Sequence, residues 1–451
     1  MKKYDNYKDS GIEWIGEIPE HWEVTRLGFL ASKIGDGLHG TPSYVDNSNF
    51  KFINGNNIDD GQISIYEHTK CVSEEEYLSN KKELNENSIL MSINGTIGNL
   101  GVYKGEKVML GKSVAYINII DSNVLSFTYR YLESESCKTY IDNQLSGSTI
   151  KNLSLYSINK IPIPFPSIEE QTKIANYLDH KTRQIDTLIS KKQQFISLLQ
   201  EERIAVINQA VTKGLDPKAK MKDSGIEWLG EIPEHWEVKK LKFIKSNIKN
   251  AFVDGPFGSN LKTEHFVENG DVYVIDSGLI TSGVFHKKRE MKTITNDHFE
   301  TVLRSECKQN DIIIAKIGAN FGMSGILPKL DKPSLVSGNT LKLTVNKELY
   351  DLKLVHLQLL NLKTQGEIDL LVKGSAQPAL SMGVMSDLPF VIPSSLDEQV
   401  KIRNYILNQH QRIDELITKC QQEIELLKEY KTALISEVVT GKVDVRNEIL
   451  N

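Results

Sequence analysis

The side chains whose type and spacing suit chemistry cluster at glycine turns in this chain, and three enzyme chemistries can be tested on them. The first is phosphate binding by a P-loop, G-x-x-x-x-G-K-[ST], whose backbone N–H groups cradle phosphate oxygens ahead of a helix. Gly105 to Ser113 reads GEKVMLGKS, one residue too long, and runs into Val114 to Ile120, a strand-like segment where the helix is required. The second is methyl transfer to an amino group, which needs an Asn- or Asp-Pro-Pro-aromatic motif. The chain has no Pro-Pro dipeptide, and Asp254 to Ser259 echoes a glycine-rich cofactor loop only superficially. The third is acid–base or nucleophilic catalysis. His21 and His235 each stand beside a tryptophan in a repeated motif, which predicts packed or hydrogen-bonded rings. Cys71, Cys137, Cys307 and Cys420 are scattered singly, without a C-x-x-C pair, and read as reduced, buried thiols. No nucleophile, metal set or carboxylate pair stands out. The chain reads as a protein without catalysis of its own.

The turns themselves recur. Asp36-Gly37 matches Asp254-Gly255, Ser92-Ile93-Asn94-Gly95 matches Ala315-Lys316-Ile317-Gly318, and Gly147 to Lys151 answers Gly374 to Pro378. Glycine at such turns serves either a phosphate contact or plain chain reversal. The correspondence belongs to a much longer repeat. Asp9 to Val24 reads DSGIEWIGEIPEHWEV and Asp223 to Val238 reads DSGIEWLGEIPEHWEV, differing only at Ile15 and Leu229. A period of 214 residues is too long for a solenoid and marks two whole modules.

A second matched pair follows the modules, from Ser167 and from Ser395, each read as one long helix. Both open with Ser-x-x-Glu (Ser167 with Glu170, Ser395 with Glu398), the pattern of a capping box, and Gly214 and Pro217 stop the first. Their apolar residues keep a 3-and-4 spacing: Ile185, Ile189, Ile196, Leu199 and Val206, against Ile413, Ile417, Cys420, Ile424, Leu427, Leu434 and Val438. That is a coiled-coil seam, interrupted in the first helix by Lys192 and Arg203. Because only Lys218 to Lys222 separate the first helix from the second module, connectivity predicts an antiparallel pair with a module at either end.

Between the matched segments lie divergent inserts, Thr25 to Pro166 and Lys239 to Pro393. Short strands are expected at Phe50 to Ile53, Ser88 to Ile93, Gly101 to Tyr103 and Val114 to Ile120. In the second insert they are expected at Val272 to Ile275, Asp311 to Lys316 and Thr340 to Val345. One helix is expected in each, near Phe127 to Ser136 and Tyr350 to Leu360. Hydrophobic residues at 39% and charged residues at 25% suit folded domains, and no run of apolar residues is long enough to span a membrane, which points to the cytoplasm. A net charge of -5 gives no overall basic excess, so any contact with nucleic acid must come from a local groove.

The whole chain resembles the specificity (S) subunits of type I restriction-modification systems. The resemblance is carried by Trp14 to Glu23 and Trp228 to Glu237, by Pro166 with Glu170-Gln171 and Pro393 with Glu398-Gln399, and by Asp254 to Ser259. The first insert has Asp-Gly-Leu-His-Gly-Thr, Asp36 to Thr41, where the second has Asp-Gly-Pro-Phe-Gly-Ser. The resemblance implies an α+β protein: two mixed α/β target recognition domains joined by two long antiparallel coiled-coil helices, a pseudo-two-fold tandem duplication. The divisions are 1–166, first recognition domain; 167–216, central spacer helix; 217–393, second recognition domain; and 394–451, C-terminal spacer helix. It implies that each insert reads half of a bipartite sequence in double-stranded DNA and that the helices space the halves and dock two methyltransferase subunits. Restriction/translocase subunits are further partners. S-adenosylmethionine, ATP and Mg are expected in the partner subunits and no cofactor in this chain. The alternative is a coiled-coil scaffold whose inserts bind protein or glycan.

For DNA reading, Lys and Arg serve phosphate or guanine, and Asn and Gln serve adenine. The candidates in the first module are Lys33, His39, Lys51, Asn54, Asn56, Asn57, Asn94, Thr96, Lys112, Ser148 and Lys151. Those in the second are Ser259, Asn260, Lys262, Lys316, Asn320, Asn339, Lys373 and Gln377.

Overall fold

The computed structural model describes residues 2–59, 61–145, 151–372 and 379–448. The chain divides into two compact units, Met1–Gln193 with Cys420–Asn451, and Gln194–Lys419. Each unit holds one divergent insert and a stretch of both long helices.

The repeated motif forms the same hairpin in each unit. Tyr7–Asp9 pairs antiparallel with Glu17–Pro19, and Met221–Asp223 with Glu231–Pro233. Gly11 and Gly16, like Gly225 and Gly230, take positive φ in the connecting turn, a conformation that opposes a Cβ. The motif's second tryptophan, Trp22 or Trp236, is fully buried. The strands that follow close each insert on itself: Glu23–Arg26 pairs with Pro162–Phe165, and Trp236–Lys240 with Pro389–Pro393. The insert therefore begins and ends at one place, which lets its sequence diverge without moving the frame.

Within each insert two four-stranded sheets share a topology. In the first unit one sheet runs Leu100–Val102, Ser88–Ser92, Val114–Ile119, Ala31–Asp36, all antiparallel. Its counterpart runs Ser324–Ile326, Ile312–Ala315, Thr340–Leu343, Phe252–Asp254. The second sheets share a parallel pair, Val108–Leu110 beside Phe50–Ile53 and Ser334–Val336 beside Tyr273 to Ile275. They differ at one edge strand, Tyr44–Val45 in the first and Glu306–Cys307 in the second.

The central strands read as unbroken apolar runs because both their faces are covered. Ile89 and Met91 join the core with Phe127 and Tyr131, whereas Leu90 between them joins Ile53 and Ile58 on the other side. The helix near Phe127 is two helices, Ser122–Leu132 and Glu135–Gln144, each started by a side-chain cap, Asp121 and Ser134. Its counterpart is Leu352–Thr364.

The first long helix spans Ile168–Lys213 and the second Leu396–Val439. Ile185, Leu199, Ile413, Cys420, Ile424, Leu434 and Val438 of the seam are buried. In the first unit Lys431 reaches Asp186 at 2.8 Å and Lys192 reaches Glu423 at 2.6 Å, numbers that rise along one helix as they fall along the other. In the second unit Arg203 reaches Asp414 at 2.9 Å, while Ala210 and Val211 pack with Ile402 and Ile406. The helices are antiparallel in both units, and each of the two charges that interrupt the seam forms a cross-helix ion pair.

The helix starts differ from the expected capping box. Ser167 Oγ does accept from the Glu170 N–H at 3.4 Å, but the Glu170 carboxylate turns away to Tyr4 and His21. Glu398 likewise binds His235 and the Trp236 indole N–H. The adjacent glutamines, buried, donate to the carbonyls of Pro166 and Pro393 at 2.9 and 3.0 Å. Glu-Gln at the helix start is thus the fastener for Glu-His-Trp, and a buried carboxylate with several donors is satisfied rather than stranded.

Candidate nucleic-acid interface

A shared set of backbone hydrogen bonds gathers the turn loops of each insert. In the first unit the Ile93 N–H donates to Ser113 O at 2.9 Å, Leu153 N–H to Ile93 O at 3.0 Å and Gly37 N–H to Val114 O at 3.1 Å. In the second, Lys316 N–H donates to Asn339 O at 2.8 Å, Leu380 N–H to Lys316 O at 3.1 Å and Gly255 N–H to Thr340 O at 3.3 Å. Gly95 and Gly318, matched in sequence, both take positive φ. The Asp-Gly glycines are demanded by packing: a Cβ on Gly37 would lie 2.2 Å from the Leu110 carbonyl oxygen, and one on Gly255 2.1 Å from the Ser337 carbonyl carbon.

This frame brings His39, Asn54, Asn56, Asn94, Thr96 and Lys112 together in the first unit. Ser113 Oγ links two of the loops, accepting from Gly55 N–H at 2.9 Å and donating to Asn54 Oδ1 at 3.1 Å. Thr96 reaches Gly55 O at 3.4 Å, and the Leu38 N–H donates to Leu110 O at 2.7 Å, carrying His39 to the same side. His39 Nε2 lies 2.6 Å from Asp36 Oδ2. Lys151 adjoins them through the bridge between Asn152 and Asn94. Asn56, Thr96, Lys112 and Lys151 are exposed.

Three candidates are engaged elsewhere. Lys33 is paired with Glu83 at 3.0 Å, which raises its pKa. Lys51 Nζ lies 3.1 Å from the buried Cys71 Sγ and holds that thiol below its ordinary range. Asn57 is buried, its amide donating to Ser64 O at 2.9 Å. Ser148, Lys373 and Gln377 lie outside the described residues.

In the second unit Ser259, Asn260 and Asn339 are exposed on the gathered loops, and Asn320 reaches Ser277 O at 3.4 Å. Lys262 is exposed, 3.5 Å from Glu264. Lys316 is buried, its ammonium 3.3 Å from Asp254 Oδ2 and 4.1 Å from the centre of the Phe257 ring. Sequence reasoning did not find Arg304, whose Nη2 lies 3.3 Å from Asp254 Oδ1 on the same loop cluster. It has no repeat partner in the first insert; its residue type was the one signal available.

Among the described residues no cluster of His, Cys, Asp and Glu is placed to hold a metal ion, and no helix is long and apolar enough to cross a membrane. The arrangement is a pair of loop clusters with matched backbones and unlike side chains, the form expected of two readers on one scaffold. Residues 19–197 and 233–426 match the type I restriction modification DNA specificity domain, and the chain belongs to that family. It is 26% identical to the type I restriction enzyme MjaVIII specificity subunit of Methanocaldococcus jannaschii, over 99% of this chain and 97% of that one. Two solved structures share the fold. One is a chain from work on complex assembly and conformational transition of the type I R-M system, with TM-score 0.63 and 12% identity, covering 94% of this chain and 99% of that one. The other is the HsdS subunit from Thermoanaerobacter tengcongensis, with TM-score 0.53 and 13% identity, covering 94% and 98%.

Proposed function

We propose that this chain is the DNA specificity subunit of a type I restriction-modification complex, each insert reading one half of a bipartite duplex target. The observation that carries this is the family domain present twice, the first copy gathering exposed Asn, Thr and Lys side chains and the second exposed Asn, Ser and Lys side chains on a matched hydrogen-bonded loop frame. The helices space the two halves and dock two methyltransferase subunits. Support for docking comes from apolar residues left exposed on the helices: Leu188, Leu426 and Tyr430 in the first unit, Phe195 and Leu198 in the second. The chain is non-catalytic and acts in the cytoplasm; S-adenosylmethionine, ATP and Mg are held by partner methyltransferase and restriction/translocase subunits.

The test is duplex binding against salt, followed by mapping of methylated sites in the cell. Phosphate contact requires affinity to fall steeply as salt rises. Exchanging Thr25 to Pro166 for another family member's insert changes one half-site and leaves the other. A salt-insensitive protein without duplex affinity, or an exchange that alters both halves, overturns the proposal.

A further inference from the structure

We propose that Arg304 is a specificity-determining residue that reads a guanine in the half-site of the second module; this rests on the reading above that each insert contacts DNA. The second insert contains two arginines, Arg289 and Arg304. Arg304 lies on the Leu303–Ser305 turn, fixed to the Asp-Gly loop because Ser305 Oγ donates to Asp254 O at 3.0 Å. Its side chain is 58% exposed.

The Asp254 carboxylate, largely enclosed, already has the buried Lys316 ammonium on one oxygen and receives Arg304 Nη2 on the other. One negative charge faces two positive ones, so the group as a whole presents a cation outward. Arg304 Nη2 also touches Met382 Sδ at 3.8 Å, which with Asp254 sets the plane of the guanidinium. Among the described residues its Nη1 and Nε have no hydrogen-bond partner. What remains is a planar fork, oriented from behind by a carboxylate, on the loop cluster that carries Ser259, Asn260 and Asn339.

Two ligands suit a free arginine fork on DNA, a phosphate and the O6/N7 edge of guanine. A phosphate accepts from an exposed cation in many orientations, whereas the paired O6/N7 acceptors of guanine need a fork whose plane is fixed, which Asp254 and Met382 supply here. The geometry therefore favours the base. The first unit offers a different chemistry in the matched place, where Asp36 is met by His39 and not by an arginine. Its insert's two arginines are occupied or distant: Arg130 is clamped between Glu133 and Asp179, and Arg26 lies on the strand paired with Pro162–Phe165.

The experiment is selection from a random duplex library with the full chain and its co-purifying subunits, comparing wild type with Arg304→Ala and Arg304→Gln. Wild type returns a two-part sequence with a guanine in one half. Arg304→Ala loses about tenfold of the preference for one guanine, with the other half unchanged, and Arg304→Gln moves that position toward adenine. An unchanged sequence in both variants overturns the proposal, as does weakening that is uniform over all sequences, the signature of a phosphate contact. Failure of the wild type to bind duplex at all would instead overturn the parent reading. Circular dichroism melts check that both variants fold, as substitution of an exposed side chain predicts.

Discussion

The two units build the same tryptophan seat in different ways. In the second, the first long helix ends at Lys213, Gly214 turns at φ +75° and the chain runs straight on to Met221–Asp223. In the first, Gly441 makes the same turn at φ +75°, but the segment after it meets a piece of chain remote in sequence, with Asp444 N–H donating to Lys2 O at 2.8 Å. Both glycines leave room for the rings: a Cβ on Gly214 would lie 3.1 Å from Trp236, and one on Gly441 3.2 Å from Trp22. The fasteners differ. Trp236 donates to Glu398 at 3.0 Å, whereas Glu170 receives Tyr4 O–H at 2.7 Å and Trp22 Nε1 has no partner among the described residues. Arg446 then stacks on the Tyr4 ring at 4.7 Å and bonds Asp444 at 2.9 Å. Where the second unit relies on a covalent connection, the first uses a clasp of side chains, and the entropy of bringing the segments together falls on different groups.

The largest test of that contrast removes the tryptophans. Trp22→Ala and Trp236→Ala should each cost about 3–5 kcal/mol from the lost burial. Trp236→Ala should cost about 1 kcal/mol more, because it also takes a donor from Glu398. Denaturant midpoints measure both, and equal losses would mean that the indole hydrogen bond contributes nothing. Tyr4→Phe comes next, at about 1–2 kcal/mol, since it leaves a lone pair of the buried Glu170 without its donor. Lys218, which stands one repeat away from Tyr4, has no such role, and Lys218→Ala should change stability by less than about 0.5 kcal/mol.

Much of this architecture is legible in the sequence because it is repeated: the matched motifs, the helix starts and the paired glycine turns each have a counterpart at a fixed offset. The central strands are legible as apolar runs, Ser88 to Ser92 and Ile312 to Ala315 being buried throughout. What escapes is decided by tertiary contact. Glu170 looks like a cap from its spacing, yet Tyr4 and His21 compete for it from far away in the chain. Lys51 looks available, but the pleat puts it on the face that meets Cys71. Asn57 and Asn56 are neighbours of the same type, and only the turn determines that one is buried and the other exposed. Arg304 is marked by its residue type alone because nothing in the first insert matches it.

Acid probes the clasp more gently. The hydrogen bond from Arg446 is the largest influence holding the Asp444 carboxyl below its ordinary pKa. A lowered folded value means that the stabilisation is complete above the unfolded carboxylate pKa, about 4, and is lost as pH falls through the folded one. Hydrogen exchange at residues 2–8 and 440–446 should therefore quicken below about pH 4, while residues 212–222 show no matching change. Asp444→Asn should remove that component of the dependence; an equal acid response in both seats would show that the clasp is not its source.

The last test exchanges the two kinds of connection. A permuted variant would join Glu448 to Lys2 through a short flexible linker and open the chain between Asp216 and Pro217. The first seat would then be covalently continuous and the second would be held by its remaining contacts. Lys2 and Asp444 are already hydrogen-bonded, so the new linker closes a short gap, and loop closure grows only slowly with length. The opened segment keeps the Glu234 N–H bond to Lys220 O at 2.7 Å and the Trp236–Glu398 bond, but it has no equivalent of Tyr4 on Glu398. The permuted protein should fold with stability within about 1–2 kcal/mol of the parent, with the loss located in the second seat by hydrogen exchange. Replacing Lys218 by tyrosine in that background, so that a phenol can reach toward Glu398, should recover part of it. A permuted chain that unfolds outright would mean that the covalent connection at Gly214 to Met221, and not the tryptophan seat, holds the second hairpin in place.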